Sequence, residues 1–288
     1  MPRSAPRGRS RRLNSRGQLR FQVLRVGFEI AVDSPAVERE LRVLVQSAVQ
    51  PEPPRATVRY DVRRGGDGAY EIFRDDVLED VQFEPGQVLR QLYAEIQRCA
   101  LAAWPQGTLL YAVTGRCRGE RFLLVGETPW DRSRVALHLL CLGVDIEGDG
   151  LAILHDGAVT AIPRPLRVCG GDAPLPTRAP PRDELPCVGS NAMGPWVLDL
   201  ARAGIDWRIT RGAPHLLVVL ETNWGGQTRV AELAAHETAR MLMSGSTPLG
   251  APVEWIRAVA RLADGPRCTR LWLGSLEHLK EVWPGRLP

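Results

Sequence analysis

The chain has 288 residues, 44% hydrophobic and 24% charged, ordinary proportions for a globular protein with one large core or two modest ones. No apolar run approaches the ~18 residues that cross a bilayer, and the arginine-rich start lacks the apolar segment of a secretory signal. These features set membrane and secreted classes aside and make a cytoplasmic location the expectation.

The net charge of +4 is concentrated at the start, where residues 1–20 hold seven arginines and no acid. Without those seven, 30 basic residues face 33 acidic ones. Residues 1–17 read as a disordered basic tail. Such a tail can touch nucleic acid or an acidic partner through counterion release, although Pro and Gly in it prevent an amphipathic helix. Nucleic acid is therefore the disfavoured partner.

A small α/β lobe is expected over 18–105. Leu19 to Val32 alternates as a strand. Ser34-Pro35 is a cap followed by proline at the first helical position, and Val37, Leu41, Leu44 and Ala48 then share one face. Strands are expected near Ala56–Val62 and Ala69–Phe73, and a second helix from about Pro85 to Ala103 with Leu89, Leu92, Tyr93, Ile96 and Ala103 inward.

From 106 to 288 the pattern becomes strand, loop, helix, strand. Leu109–Val113 and Arg121–Val125 are expected strands, followed by a helix from about Asp131 to Leu142 stopped by Gly143. Leu151–Leu154 and Val159–Ile162 should pair around His155-Asp156-Gly157. Residues 170–186, rich in Pro and Gly, read as a long loop. Leu216–Glu221 reads as a buried strand. Helices at about Thr228–Met243 and Pro252–Ala263, a strand at Thr269–Leu273 and a helix from Leu276 to Trp283 complete the pattern.

An apolar strand ending in glycine and opening into a helix is where α/β proteins bind phosphate, because the helix start presents free N–H groups and partial positive charge. The eight-position phosphate loop is G-x-x-x-x-G-K-[ST]. Here the stretch reads Gly126-Glu127-Thr128-Pro129-Trp130-Asp131-Arg132-Ser133, with Asp131 at the second glycine and Arg132 at the lysine. Lys280 is the only lysine among 37 basic residues, so a mid-chain lysine role can fall only to arginine. Pro129 has no N–H to give, and Asp131 sets a negative charge beside the intended anion. Losing two charge-assisted hydrogen bonds, each about 1.5–3 kcal/mol, removes roughly two to four decades of affinity.

Taken with Asp149 before the strand Leu151–Leu154, Pro163-Arg164-Pro165 beyond the hairpin, and the closing Arg270-Leu271-Trp272-Leu273-Gly274, the order of elements over roughly 18–285 resembles the HPr kinase/phosphorylase-like family of PEP-carboxykinase-type P-loop proteins. The family includes protein kinases and relatives that phosphorylate precursor peptides in natural-product pathways. The resemblance implies an α/β fold with an HPr kinase C-terminal-like mixed sheet and a small N-terminal α/β lobe. It implies ATP and Mg²⁺ as cofactors if the chain is active. Gly126, Thr128, Arg132 and Ser133 would face the nucleotide, and Ser133 and Asp149 would hold the metal. Asp149, Arg132 and Tyr111 fall on catalytic positions, Tyr111 where the family has a histidine, and Arg164 on a substrate-binding one. The family's paired acids fall on Asp149 and Gly150, so only the first remains; Asp145 and Glu147 are the nearby carboxylates that offer a substitute base.

Other residues have plainer readings. Six cysteines without a CxxC pair are expected to be free thiols. His236-Glu237-Thr238-Ala239-Arg240 begins like a zinc-protease helix but lacks the second histidine. His138, His155, His215 and His278 have no ligand spacing. Three functions follow. The first is a degenerate kinase that binds a peptide or protein as scaffold or regulator. The second is an active ATP-dependent serine kinase, and the third a nucleic-acid-associated protein using its tail. Homo-oligomerisation is open.

Overall fold

The computed structural model describes residues 17–104, 106–168, 187–188, 196–198, 200 and 203–283. Residues 1–16 of the expected tail and the loop 170–186 lie outside the described residues, and Gly17 already belongs to a strand.

The first unit is a five-stranded sheet with two helices. It contains β1 (Gly17–Val23), β2 (Val26–Val32), α1 (Pro35–Leu44), β3 (Ala56–Arg64), β4 (Tyr70–Arg74), β5 (Val77–Gln82) and α2 (Pro85–Ala102), with the strands in sequential order. The alternation over 19–32 is two strands, not one, because a tight turn with Leu24 at φ 53° folds β1 back on β2. Ser34 caps α1, its Oγ accepting from Val37 N at 3.4 Å, and Val37, Leu41 and Leu44 are buried. In α2, Val88, Leu89, Leu92 and Ile96 face the sheet, while Ala103 is an exposed C-cap. Strand β5 was not foreseen from sequence: its side chains are mostly exposed and a bulge opposite Ile72/Phe73 breaks its alternation. The core of this unit also takes in Leu109, Ile153 and Ile162 from the rest of the chain.

The chain continues through β6 (Thr108–Leu110), β7 (Ala112–Cys117), β8 (Glu120–Gly126), α3 (Pro129–Cys141), β9 (Asp145–Gly148), β10 (Ala152–His155) and β11 (Ala158–Ala161). Short strands β12 (Arg167–Val168), β13 (Cys187–Val188), β14 (Trp196–Leu198) and β15 (Arg211–Gly212) follow. The last stretch holds β16 (Leu216–Thr222), β17 (Arg229–Glu232), α4 (Ala235–Ser244), β18 (Ser246–Pro248), α5 (Pro252–Asp264), β19 (Arg267–Leu273), a 3₁₀ turn (Leu276–His278) and α6 (Leu279–Val282).

The central sheet has the order β17-β19-β16-β8-β7-β9, with β8, β16 and β19 parallel and the other pairings antiparallel. Leu216–Leu220 is buried throughout, as expected of a central strand covered on both faces. On one face Phe122, Leu124, Val218 and Leu271 share a core with Val135 and Leu139 of α3. On the other, Leu123, Val125, Leu217 and Val219 meet Leu242 of α4 and Val259 and Leu262 of α5. The architecture is mixed α/β, as expected.

Two further expectations need correction, and one strand was not foreseen. The run 109–113 divides at Tyr111, whose N–H bonds Gly245 O at 2.9 Å, so β6 and β7 enter different sheets. The helix expected from 228 begins only at Ala235, because Arg229–Glu232 pairs along the edge of β19 and Arg229 stacks over Trp272 at 4.1 Å. Strand β9, hidden in four residues, closes the other edge of the sheet. The hairpin at 155–157 is as read, with Asp156 and Gly157 at φ 51° and 71°.

Candidate functional site

The parallel strands β8, β16 and β19 run the same way, so their C-terminal ends open on one side of the sheet, the usual location of a site in such folds. A cleft of about 920 Å³ lies there, lined among others by Tyr111, Gly126, Thr128, Arg132, Glu221 and Arg240. The expected loop sits at its edge, but its conformation is tight. Only Glu127 and Thr128 separate β8 from α3, so five of the eight positions of the motif are wound into helix. The first of them, Pro129, offers no N–H. Gly126 is required by packing: a Cβ there would lie 2.7 Å from Leu220 O on the neighbouring strand.

Asp131 is buried in the first turn of α3. Its carboxylate accepts from Thr222 Oγ1 at 2.6 Å and Trp224 Nε1 at 3.2 Å, with Arg134 Nη1 at 3.5 Å. The negative charge complements the helix dipole, occupying electrostatically the end that would otherwise attract an anion. Thr128 is the exposed N-cap, and its carbonyl accepts from Arg132 N at 3.3 Å.

Arg132 turns back beneath the loop. It is 3% exposed, and its Nη1 donates to the carbonyl of Gly126. Burial pushes its pKa down from the usual arginine range; Asp149 nearby opposes the shift and Arg164 adds to it. Its Nε is buried without a hydrogen-bond partner. Ser133 Oγ lies 2.6 Å from Asp149 Oδ2 and donates to it, and also stands 3.2 Å from Pro129 O. Thus α3 and the end of β9 bring Arg132, Ser133 and Asp149 together, 16 residues apart in the case of the Ser133–Asp149 pair. Arg164 is half-buried beside them, its Nε donating to Tyr93 OH of α2 at 3.3 Å. Tyr111 is exposed on the far wall of the cleft.

The position of the family's second acid, Gly150, has φ 100°, and a Cβ there would approach Arg164 Nη1 to 3.1 Å. That backbone favours glycine and strains a carboxylate residue. Neither substitute base reaches the site. Glu147 is 2% exposed and bonded to Arg121 Nη1 at 2.6 Å and Thr210 Oγ1 at 2.6 Å, while its carbonyl accepts from Trp207 Nε1 at 3.0 Å. Asp145 is exposed at the start of β9, about 13 Å of strand before Asp149.

The residues fit the two implied groups unequally. Octahedral Mg²⁺ spaces neighbouring oxygen ligands by roughly 3 Å, so Ser133 Oγ and Asp149 Oδ2 need only a small separation to share one. The phosphate side does not fit. The helix start lacks an N–H at Pro129 and carries the Asp131 carboxylate, and the Arg132 cation is directed into the protein.

Sequence reasoning located Gly126, Arg132, Ser133 and Asp149 in one place and read Trp224 as part of a loop at one end of the sheet, but missed Thr222, which with Trp224 fixes Asp131, and Glu221 and Arg240 across the cleft. Thr222 follows the apolar run of β16, and the end of a parallel strand is the signal that points to it.

The fold and cleft define a mixed α/β protein with a strand-to-helix turn at the C-terminal edge of its parallel strands. No family model and no curated protein matches the chain. Among solved structures it is similar to the HPr(Ser) kinase/phosphatase from Coxiella burnetii, at 11% identity over 58% of this chain and 85% of that chain, with a TM-score of 0.28. A likeness with a TM-score of 0.28 carries no argument about this chain. Among the described residues no helix is long and apolar enough to cross a membrane.

Proposed function

We propose that this chain is a divergent HPr-kinase-like protein that has ceased to transfer phosphate and uses its cleft to bind a peptide or protein segment, as a scaffold or regulator. The observation that carries the reading is the position of Arg132. In place of a lysine reaching toward phosphates, a buried arginine is bound to the carbonyl of Gly126. The nearby carboxylate that could serve as base is also engaged inside the protein, Glu147 with Arg121, and the Asp131 carboxylate is fixed at the helix start by Thr222 and Trp224. Phosphoryl transfer depends almost wholly on positioning and charge, so these internal commitments bear directly on it. The cleft itself is large enough for several peptide side chains, with Tyr111 and Met241 as apolar contacts and Glu221 and Arg240 as polar ones. A peptide of a natural-product pathway is one partner of the right kind.

The Ser133–Asp149 pair favours a second reading, an ATP-dependent serine kinase. In it those two residues hold Mg²⁺, which would neutralise phosphate charge, and Arg132 rotates outward to bind the nucleotide. Calorimetric titration of Mg²⁺-ATP separates the two. The scaffold reading expects no heat at millimolar nucleotide; micromolar binding that disappears in Arg132→Ala replaces it with the kinase.

A further inference from the structure

Strand β5 is an edge of the N-terminal sheet, hydrogen-bonded to β4 on one side and to no other strand among the described residues. An edge presents a row of backbone N–H and C=O groups on which another strand can pair, and proteins commonly blunt such edges with lysine or proline. Residues 75–84, Asp-Asp-Val-Leu-Glu-Asp-Val-Gln-Phe-Glu, contain neither, and the protection the edge carries is acidic side chains and one bulge. Val77, Leu78, Val81 and Phe83 are 64%, 51%, 41% and 72% exposed.

The bulge arranges them. Leu78 stands opposite Phe73 and Val81 opposite Glu71, and residues directly opposite in an antiparallel pair share a face. Without the extra residue, positions 78 and 81 would lie on opposite faces. With it, Leu78 and Val81 lie on the face turned away from the helices, beside half-buried Phe73, and exposed Phe83 follows directly after the strand. Within residues 75–84 the charge is of one sign, Asp75, Asp76, Glu79, Asp80 and Glu84 being acidic with no base among them, while Arg74 and Arg63, the latter over the Phe73 ring at 4.2 Å, border the stretch on the β3–β4 side.

We infer that the β5 edge takes up a basic peptide strand from a partner, an arginine- or lysine-rich segment with apolar residues at alternate positions, which pairs with β5 as a sixth strand of the sheet. Main-chain bonds give the addition its register, Leu78, Val81 and Phe83 receive apolar side chains, and Asp76, Glu79 and Glu84 receive the basic ones, Asp80 being turned to Val81 N and Gln82 within the strand. This surface lies on a different sheet from the Arg132 cleft and does not depend on that cleft being nucleotide-free.

The test uses the full chain and a fluorescein-labelled peptide alternating arginine with valine, followed by anisotropy. The expected results are saturable binding, weakened at least tenfold by Leu78→Ser with Val81→Ser and several-fold by Asp76→Asn with Glu79→Gln, and slower hydrogen exchange in β5 amides on binding. Both pairs replace surface side chains, and retained thermal unfolding confirms that each variant is folded. A peptide alternating glutamate with valine should not bind. Equal binding of an arginine peptide interrupted by prolines would overturn the inference, since charge alone would then suffice. So would binding that neither double variant weakens. Protection of β5 without peptide that is lost on deleting residues 1–16 would also overturn it, the chain's own arginines then being the occupant. Concentration-dependent protection of β5 without peptide, together with self-association abolished by Val81→Ser, would instead assign the edge to a second copy.

Discussion

Ser133 donates its hydroxyl hydrogen to Asp149 across 2.6 Å, joining α3 to the residue that follows β9 in a buried contact. The pair occupies the place where the family resemblance puts two metal ligands, and in this chain each oxygen serves the other. Ser133→Ala removes the donor from a carboxylate that is only 5% exposed. A hydrogen bond to a charged group is worth about 1.5–3 kcal/mol. Urea denaturation of Ser133→Ala should show a stability loss of that size, and an unchanged midpoint would mean that the bond contributes nothing.

The absence of a phosphate cradle is a matter of backbone as well as of side chains. Restoring the motif letters with Asp131→Gly and Arg132→Lys leaves α3 starting at Pro129, with the same missing N–H. The double variant should still give no calorimetric signal with millimolar Mg²⁺-ATP. Recovery of micromolar binding would show that the two side chains alone had closed the site.

Glu147 and Arg121 form a buried ion pair at 2.6 Å, 2% and 4% exposed. Removing one partner of such a pair leaves the other charge buried and costs about 3–5 kcal/mol. Glu147→Ala should be destabilised by that amount, whereas Arg121→Met combined with Glu147→Leu should recover at least half of it. If Glu147 acted instead as a base, its loss would abolish a reaction while leaving the unfolding midpoint in place.

Gly126 packs against the next strand. In Gly126→Ala the new methyl meets Leu220 O at 2.7 Å, an overpacking that costs about 1–3 kcal/mol once the strands shift. Thermal unfolding should register the loss without any ligand present. A stability equal to the parent chain would return Gly126 to a role in ligand approach.

His138 lies buried in α3, and burial pushes its pKa below the usual 6.5. The unfolded chain therefore takes up the proton first as pH falls, so stability is full above about pH 6.5 and declines below it until the folded-state pKa is passed. Urea midpoints measured from about pH 7 down to about pH 5 should fall, and His138→Gln should flatten that part of the profile. A parallel decline in the variant would assign the pH dependence to other groups.

Local signals in the sequence were sufficient for most of the elements. Ser34-Pro35 starts α1, the 3.6-residue spacing of Leu89, Leu92 and Ile96 defines α2, and the apolar run 216–220 marks the central strand. Asp156-Gly157 turns the β10–β11 hairpin. All of these are properties of near neighbours, which a linear reading can weigh. Strand β5 escaped because a bulge interrupts its alternation, and β17 because only the edge of β19 makes those residues extended. The letters at 126–133 announced by themselves that glycine and lysine were absent from their usual places. They did not reveal where the replacements point. That Asp131 is held by Thr222 and Trp224 and that Glu147 is committed to Arg121 depend on groups brought from distant parts of the chain, and that Arg132 turns back on Gly126 O, six residues away, depends on the burial around it. Side-chain direction, burial and charge pairing are set by what the fold places opposite each residue, so only the tertiary structure could decide them.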